Sequence, residues 1–128
     1  MVIVAGCAAL PTPAWAASAT VQSGVKTEIT THSRYDSRCE ASPVNIRIVT
    51  QPANGTVTAE PKDMVVKQTD NAVPQSSSCI GKTIRGVAVY YQSKPGFTGQ
   101  DSFRYQRLNP RDPGDPLNND ITYTITVK

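Results

Sequence analysis

The feature that most constrains this chain is an alternation of apolar and polar side chains with a period of two residues. The last segment is typical: Ile121, Tyr123, Ile125 and Val127 are each separated by a threonine. Successive side chains of a β-strand point to opposite faces of a sheet, so this period predicts strands with one buried face. After residue 17 no stretch has the apolar spacing of an amphipathic helix. The sequence therefore predicts an all-β fold.

The number of alternating stretches predicts a single sandwich. The chain has 128 residues, enough for one domain and too few for two of ordinary size. Turn residues, such as the Asn54-Gly55 pair, separate the stretches. About seven short strands in about 110 residues is the size of an immunoglobulin-like antiparallel β-sandwich. The predicted strands are Thr20 to Val25, Thr27 to His32, Val44 to Thr50, Gly55 to Glu60 with a continuation at Met64 to Gln68, Gly86 to Gln92, Asp101 to Leu108 and Ile121 to Lys128.

The same alternation assigns side chains to faces. Phe103 and Tyr105 are expected in the core with Ile46 and Ile48, as are the apolar residues of the last strand. The intervening polar positions then face outward. The outward residues of these two strands that carry hydrogen-bonding or charged groups are Arg47, Arg104 and Gln106.

The first sixteen residues are predicted to be a signal peptide. The run Met1 to Leu10 is apolar, and the small residues Ala14 and Ala16 form an A-x-A cleavage site. The mature domain would then be 17–128. An alternative is lipoprotein processing, with lipid attached at Cys7. A membrane-spanning helix is disfavoured, because it needs about 20 apolar residues and a proline follows the run directly.

The remaining cysteines, Cys39 and Cys79, are predicted to form a disulfide. An exported small domain with two cysteines most often pairs them, which places it in a periplasmic or extracellular compartment. A zinc site is the alternative, but these cysteines are far apart in sequence and His32 is the only histidine. Closing the loop between them should stabilise the fold by about 4 kcal/mol.

Neither nucleic-acid binding nor catalysis is indicated by the sequence. The net charge is only +3 and the charges are interspersed. His32 has no nucleophile elbow nearby and is expected to be an exposed strand-end residue. Gly81-Lys82-Thr83 lacks the first glycine of a phosphate-binding loop, since Ser76 occupies that position. No enzyme activity and no cofactor are therefore predicted.

One segment carries a recognisable motif. The run Pro95 to Tyr105 reads Pro-Gly-Phe-Thr-Gly-x-Asp-Ser-Phe-x-Tyr, and it resembles the bacterial Ig-like, cadherin-like domains of cell-surface and secreted proteins. The resemblance implies a β-sandwich that binds a protein or glycan at the cell envelope, in an adhesive setting. Within the motif, Asp101 is expected to accept hydrogen bonds from turn amides. The chain departs from the family by its single copy, its cysteine pair and its lack of Asp-rich calcium junctions.

The candidate binding surface combines the outward strand residues with the loop from Pro110 to Asp120. Loops on a rigid scaffold commonly carry binding residues. The same loop is rich in oxygen ligands, so calcium is a second hypothesis, although the EF-hand spacing is absent. Two other functions stay open: a structural accessory of an envelope assembly, and a small periplasmic hydrolase or hydrolase inhibitor. The candidate binding residues are Arg47, Arg104, Gln106 and Arg111, and the candidate calcium ligands are Asp112, Asp115 and Asp120.

Overall fold

A computed structural model describes residues 15–67, 78–115 and 118–128, and all of its regular elements are β-strands apart from a short helical turn. The predicted leader up to Ala14, the candidate lipidation residue Cys7, and Gln68 lie outside this range. The strands are β1 (Trp15–Val21), β2 (Thr27–His32), β3 (Arg34–Tyr35), β4 (Ala41–Ser42), β5 (Asn45–Thr50), β6 (Gly55–Val65), β7 (Thr83–Ser93), β8 (Gly99–Leu108) and β9 (Asn119–Val127).

The strands form two main sheets and one small hairpin. One sheet has the order β1-β9-β8-β5 and the other has the order β2-β7-β6, while β3 and β4 form the hairpin. Every pairing is antiparallel except that of β1 with β9, which is parallel. The predicted all-β class is confirmed, and so is the pairing of the strand that contains Ile46 with the strand that contains Phe103.

The two sheets bury their inner faces against each other around one hydrophobic core. Aromatic rings dominate it: the Phe103 and Tyr123 rings lie 5.6 Å apart and nearly parallel. Packing of this kind adds to the transfer of apolar surface out of water. The predicted inward positions of β8 and β9 are confirmed. The buried members of this core are Val21, Val57, Val89, Tyr91, Phe103, Tyr105, Ile121, Ile125 and Val127.

The first strand differs from the prediction. It spans Trp15–Val21 rather than Thr20 to Val25, and it lies at the edge of the four-stranded sheet. The register places Ala17 opposite Tyr123 and Val21 opposite Val127. Small residues in this stretch resemble a cleavage region, but their strand conformation depends on β9, a partner more than a hundred positions away.

The sixth strand also differs, because Gly55 to Val65 is continuous where the sequence predicts two pieces. Pro61 lies in the middle of the strand, although proline cannot donate to a ladder. β6 is an edge strand of its sheet, and an edge is where a sheet tolerates proline. The proline also reduces the chance that this long edge pairs with another chain.

The predicted disulfide between Cys39 and Cys79 is confirmed, with the two Cα atoms 5.4 Å apart. It joins the β3–β4 connection to the segment before β7. Cys79 is fully buried and packs with Val66 and Ile84 in a second, smaller apolar cluster. The disulfide therefore covers a part of the fold that the main core does not reach.

Candidate functional site

The outer face of the four-stranded sheet carries the predicted strand residues together. Arg47 of β5 lies directly opposite Gln106 of β8, and Arg104 follows two residues along β8 on the same face. Arg47 and Arg104 are exposed, while Gln106 is half-buried. Diagonal neighbours of this kind lie about 7–8 Å apart. The two guanidinium groups therefore belong to one patch.

The rest of this face is mostly polar, and it also carries the carboxylate residue Asp120, opposite Gln106. Ser102 is opposite Thr124, and Gln100 donates a hydrogen bond from Nε2 to Thr126 Oγ1 at 3.0 Å. Within the part of the chain that the structure describes, neither Arg47 nor Arg104 forms an ion pair. Their positive charge is thus directed to solvent rather than neutralised within the fold.

The outer face of the three-stranded sheet has the opposite character, because its charges neutralise each other. Lys26 bonds to Glu60 at 2.7 Å and Nζ lies 4.8 Å from the Tyr90 ring centre. Lys62 is paired with Glu28 across the sheet. The hydrogen bond from Lys26 lowers the pKa of Glu60, and the hydrogen bond to Glu28 raises the pKa of Lys62. The two outer faces are therefore electrostatically distinct.

The described parts of the loop between β8 and β9, 109–115 and 118, are held by their own side chains. Asn109 donates from its side chain to Asp115 Oδ2 at 3.0 Å, and the Asn118 side-chain oxygen accepts the backbone amide of Asn109 at 2.8 Å. Arg111 projects from this loop as an exposed residue. The network fixes the loop against the end of β8, close in sequence to the arginine patch.

The candidate calcium ligands are not brought together. Asp115 is buried and forms a 2.6 Å ion pair with Arg34. Asp112 accepts the backbone amide of Gly114, and Asp120 lies opposite Gln106 on the outer face. Over 15–67, 78–115 and 118–128, no three acidic, histidine or cysteine side chains converge on a common point. Asp115 is thus paired with Arg34, and calcium binding by these aspartates stays a prediction.

His32 is not the exposed strand-end residue that was expected from the sequence. It is half-buried, and its Nε2 lies 2.7 Å from the hydroxyl of Tyr105. The cause is a β-bulge between Glu28 and Thr30, where the register with β7 shifts by one residue. A bulge reverses which positions face inward, so Thr30 and His32 point toward the core. Burial, with a smaller contribution from Arg107, lowers the pKa of His32 to about 4.

This burial makes stability depend on pH. In the unfolded chain His32 takes up a proton near its ordinary pKa of 6.5, whereas in the folded protein its pKa is about 4. The unfolded state thus binds more protons between these values, and stability falls as the pH is lowered through this window. We expect a loss of about 2–3 kcal/mol, reduced from the full shift by partial solvent exposure.

Urea denaturation at a series of pH values checks this expectation. His32→Gln retains a hydrogen-bonding group beside Tyr105 but cannot titrate. Most of the decline in unfolding free energy between pH 6.5 and 4 should therefore be absent in this variant. An equal decline in the wild type and in this variant would assign the effect to other groups.

Two arginines near Asp115 and His32 were not identified from the sequence. They are Arg34 and Arg107. Arg107 continues the inward series of Phe103 and Tyr105. The alternation could therefore have predicted a charged group on the core side of β8. Burial and the nearby charge of Arg34 lower the pKa of Arg107, while Asp115 opposes this. No local pattern identifies Arg34, because its partner Asp115 is 81 positions further along the chain.

Comparison with known proteins gives little beyond this geometry. No protein-family model matches the chain, and no curated protein matches it. Among solved structures, the solution structure of amebosin is similar with a TM-score of 0.48 and 14% identity, covering 91% of this chain and 100% of that one.

Two observations bear on location. The disulfide indicates an oxidising, extracellular-type compartment, because cytosolic thiols are kept reduced. In the described ranges, none of the elements is a helix of the length and apolar character needed to cross a bilayer.

Proposed function

We propose that the protein is an exported, non-enzymatic Ig-like module that binds a protein or glycan at the bacterial cell envelope. The binding surface is the arginine patch of Arg47 and Arg104, with Gln106 between them and Arg111 in the adjoining loop. The observation that carries this proposal is the contrast between the two outer faces. One is neutralised by ion pairs, whereas on the other Arg47 and Arg104 form no ion pair within the described ranges, although Asp120 lies on the same face.

The strand order supports the Ig-like assignment. When the short hairpin β3–β4 is set aside, the remaining strands in chain order can be lettered A to G. The three-stranded sheet then has the order B-E-D, and the other sheet has C-F-G with A at its end. Immunoglobulin-like sandwiches divide their strands into ABED and CFG. The difference is that the first strand here pairs with the last.

The motif residues support the same reading through their structural roles. Gly96 and Gly99 have positive φ angles of 82° and 126°, a region that favours glycine. Asp101 accepts the backbone amides of Ala53 and Asn54 at 3.1 and 3.2 Å. These roles concern folding rather than chemistry, in agreement with a binding module.

The charge of the patch favours an acidic partner surface. Arginine forms bidentate, charge-assisted hydrogen bonds with carboxylate, sulfate or phosphate groups. Because the patch is solvent-exposed, its contribution should decrease as salt is added. The export proposal is supported by the disulfide and rests otherwise on the N-terminal sequence.

The test begins with capture of a partner from envelope extract by the immobilised domain and identification by mass spectrometry. We expect the double variant Arg47→Glu, Arg104→Glu to weaken that partner's affinity by at least about tenfold, mainly through lost charge complementarity. The matched control is Lys82→Glu, Lys94→Glu, two exposed lysines that flank β7 of the other sheet and form no ion pair within the described ranges, so it changes charge equally. If the control abolishes binding and the patch variant stays within about twofold, the proposed face is wrong.

A further inference from the structure

The edge strands of the two main sheets differ in how they are protected against pairing with another chain. The edges are β1 and β5 in one sheet, and β2 and β6 in the other. β2 and β5 each contain a register shift and a charged residue, Glu28 and Arg47 respectively. β6 contains Pro61 between two charged residues. Bulges, charges and prolines are the features by which natural edge strands avoid further pairing, so these three edges are protected.

β1 has none of these protective features. Its seven residues include no charged residue and no proline, and its register with β9 is unbroken from Trp15 to Val21. In the part of the chain that the structure describes, no strand pairs with its other side. An edge of this kind can accept a further strand, which would bond to its outward backbone groups.

The hydrogen bonds at the end of the parallel ladder show which backbone groups of β1 point outward. Lys128 donates from its amide to the Val21 carbonyl, and its own carbonyl accepts the Ser23 amide, both at 2.9 Å. In a parallel pair the amide and carbonyl of one residue point to the same side, and that side alternates along the strand. Val21 therefore bonds toward β9, whereas the amides and carbonyls of Ser18 and Thr20 point to the open edge.

A cavity of about 280 Å³ lies beside the inner face of β1. Ala17 of β1 lines it together with Thr30 and His32 of β2, so it lies between the edges of the two sheets, and Ile121 and Tyr123 add apolar surface. The described residues of the lining are uncharged at pH 7, because burial lowers the pKa of His32 to about 4. A residue paired opposite Ala17 would share its inner face. The cavity therefore suits an apolar side chain larger than a methyl group.

The size of β1 favours a segment of another protein over a second copy of this chain. Stable interfaces between folded proteins involve about 20–30 residues on each side, whereas β1 offers seven. A second copy paired through its own β1 would bring only alanines and Val21 to the inner face beside the cavity. An extended peptide instead obtains affinity from main-chain hydrogen bonds and specificity from alternate side chains that enter pockets.

We propose that the open edge of β1 binds an extended segment of a partner protein, with apolar residues at alternate positions, as a further strand of the four-stranded sheet. The segment pairs with the backbone of Ser18 and Thr20, and an apolar side chain at least as large as leucine enters the cavity beside Ala17. The predicted cleavage before Ala17 would leave all three residues in the mature chain. This edge is separate from the arginine patch on the outer face of the same sheet, so the two proposals can fail independently.

NMR of the isotopically labelled, full exported protein tests the proposal with the peptide acetyl-Lys-Thr-Leu-Thr-Leu-Thr-Lys-amide. In the free protein the Ser18 and Thr20 amides should exchange with solvent much faster than the Val21 amide, which the ladder protects. The peptide should shift the Ser18 and Thr20 signals with a dissociation constant of about 0.1–1 mM. Their exchange should slow by about tenfold when about nine-tenths of the protein is bound.

Two control peptides test the role of the cavity. Replacing both leucines of the peptide with alanine should weaken binding at least about tenfold, because the cavity is then left unfilled. Replacing them with glutamate should weaken it at least as much, because a charge would enter an uncharged, partly buried space.

A proline variant separates strand pairing from other modes of binding. Ser18→Pro removes an outward amide that the ladder with β9 does not use, so it should weaken binding at least about tenfold. The matched control, Ser18→Ala, should bind as wild type does. If Ser18→Pro fails to fold, peptides methylated on the amides of alternate residues replace it. One of the two alternate sets should then bind wild type like the parent peptide, and the other should not bind.

Four results would overturn the proposal. Slow exchange of the Ser18 and Thr20 amides in the free monomer would show that the chain itself covers the edge. A dimer in sedimentation experiments that protects the same amides would assign the edge to a second copy. The other two are equal binding of the leucine and alanine peptides, and no shift of these signals at about 2 mM peptide.

Discussion

Replacing Asp101 with alanine should reduce the free energy of unfolding by about 3–5 kcal/mol, close to the whole stability of a marginal domain. Asp101 is 7% exposed and accepts four hydrogen bonds. Two come from the amides of Ala53 and Asn54, one from its neighbour Ser102 and one from the Tyr91 hydroxyl at 2.8 Å. Alanine leaves these donors without an acceptor in a place that water reaches poorly.

The position of Asp101 explains why so much depends on it. It lies near the start of β8 in one sheet, while the turn that it holds precedes β6 in the other. Tyr91 is a fully buried core residue, and burial together with the Asp101 carboxylate raises its pKa well above the usual value. Its hydroxyl therefore remains a donor. One carboxylate thus links the turn, both sheets and the aromatic core.

Urea denaturation of three variants measures this effect. Asp101→Asn keeps the shape of the side chain, so its free energy of unfolding should fall less than that of Asp101→Ala. Tyr91→Phe should lower the free energy of unfolding by about 1 kcal/mol, because a single hydrogen bond is removed. The matched control is Asp112→Ala, where an exposed aspartate accepts a single turn amide. A loss in Asp101→Ala no larger than that of the control would show that the network contributes little.

Removing the disulfide should cost a comparable amount. Cys39→Ala, Cys79→Ala is expected to lower stability by about 4 kcal/mol, because the unfolded chain regains the freedom of a loop closed across 40 positions. For a domain of this size the melting temperature should fall by at least about 15 °C. Alanine is preferred to serine, since Cys79 is fully buried and a hydroxyl there would need a partner.

Calorimetry on the wild type with and without a reductant provides the control. Reduction breaks the cross-link but retains both sulfur atoms, so it separates the constraint on the chain from the packing around Val66 and Ile84. If the constraint on the unfolded chain dominates, the melting temperature should fall by a similar amount in the reduced wild type and in the double variant. A double variant that melts within about 3 °C of wild type would contradict the prediction.

Much of the core could be predicted because alternation is a local property. The faces of β8 and β9 follow from residues such as Phe103 and Ile125 alone, and the structure buries both. His32 shows where the method fails. A single extra residue in β2 reverses the phase after Glu28, and no composition signal in that stretch marks the bulge. The prediction that His32 is exposed was wrong for that reason.

The candidate site residues also differ in whether the sequence could predict their positions. Arg47 and Arg104 were predictable as neighbours, because antiparallel pairing of their strands sets the register. The pairing of Arg34 with Asp115 was not predictable, since it depends on two segments that are far apart in the sequence. Ala17 is predicted to lie beside a cleavage site, yet in the fold it belongs to β1 and lies opposite Tyr123.

The parallel ladder between β1 and β9 has a mechanical consequence. A pull on the start of β1 and another beyond Val127 would drive these strands past each other lengthwise, because both run in the same direction. All the ladder hydrogen bonds between them would carry the load together, rather than opening one at a time as in a zipper. A backbone bond from Lys128 to Val21 extends the ladder past its last paired residue. We therefore expect the domain to resist tension between these two points more strongly than tension applied across the strands.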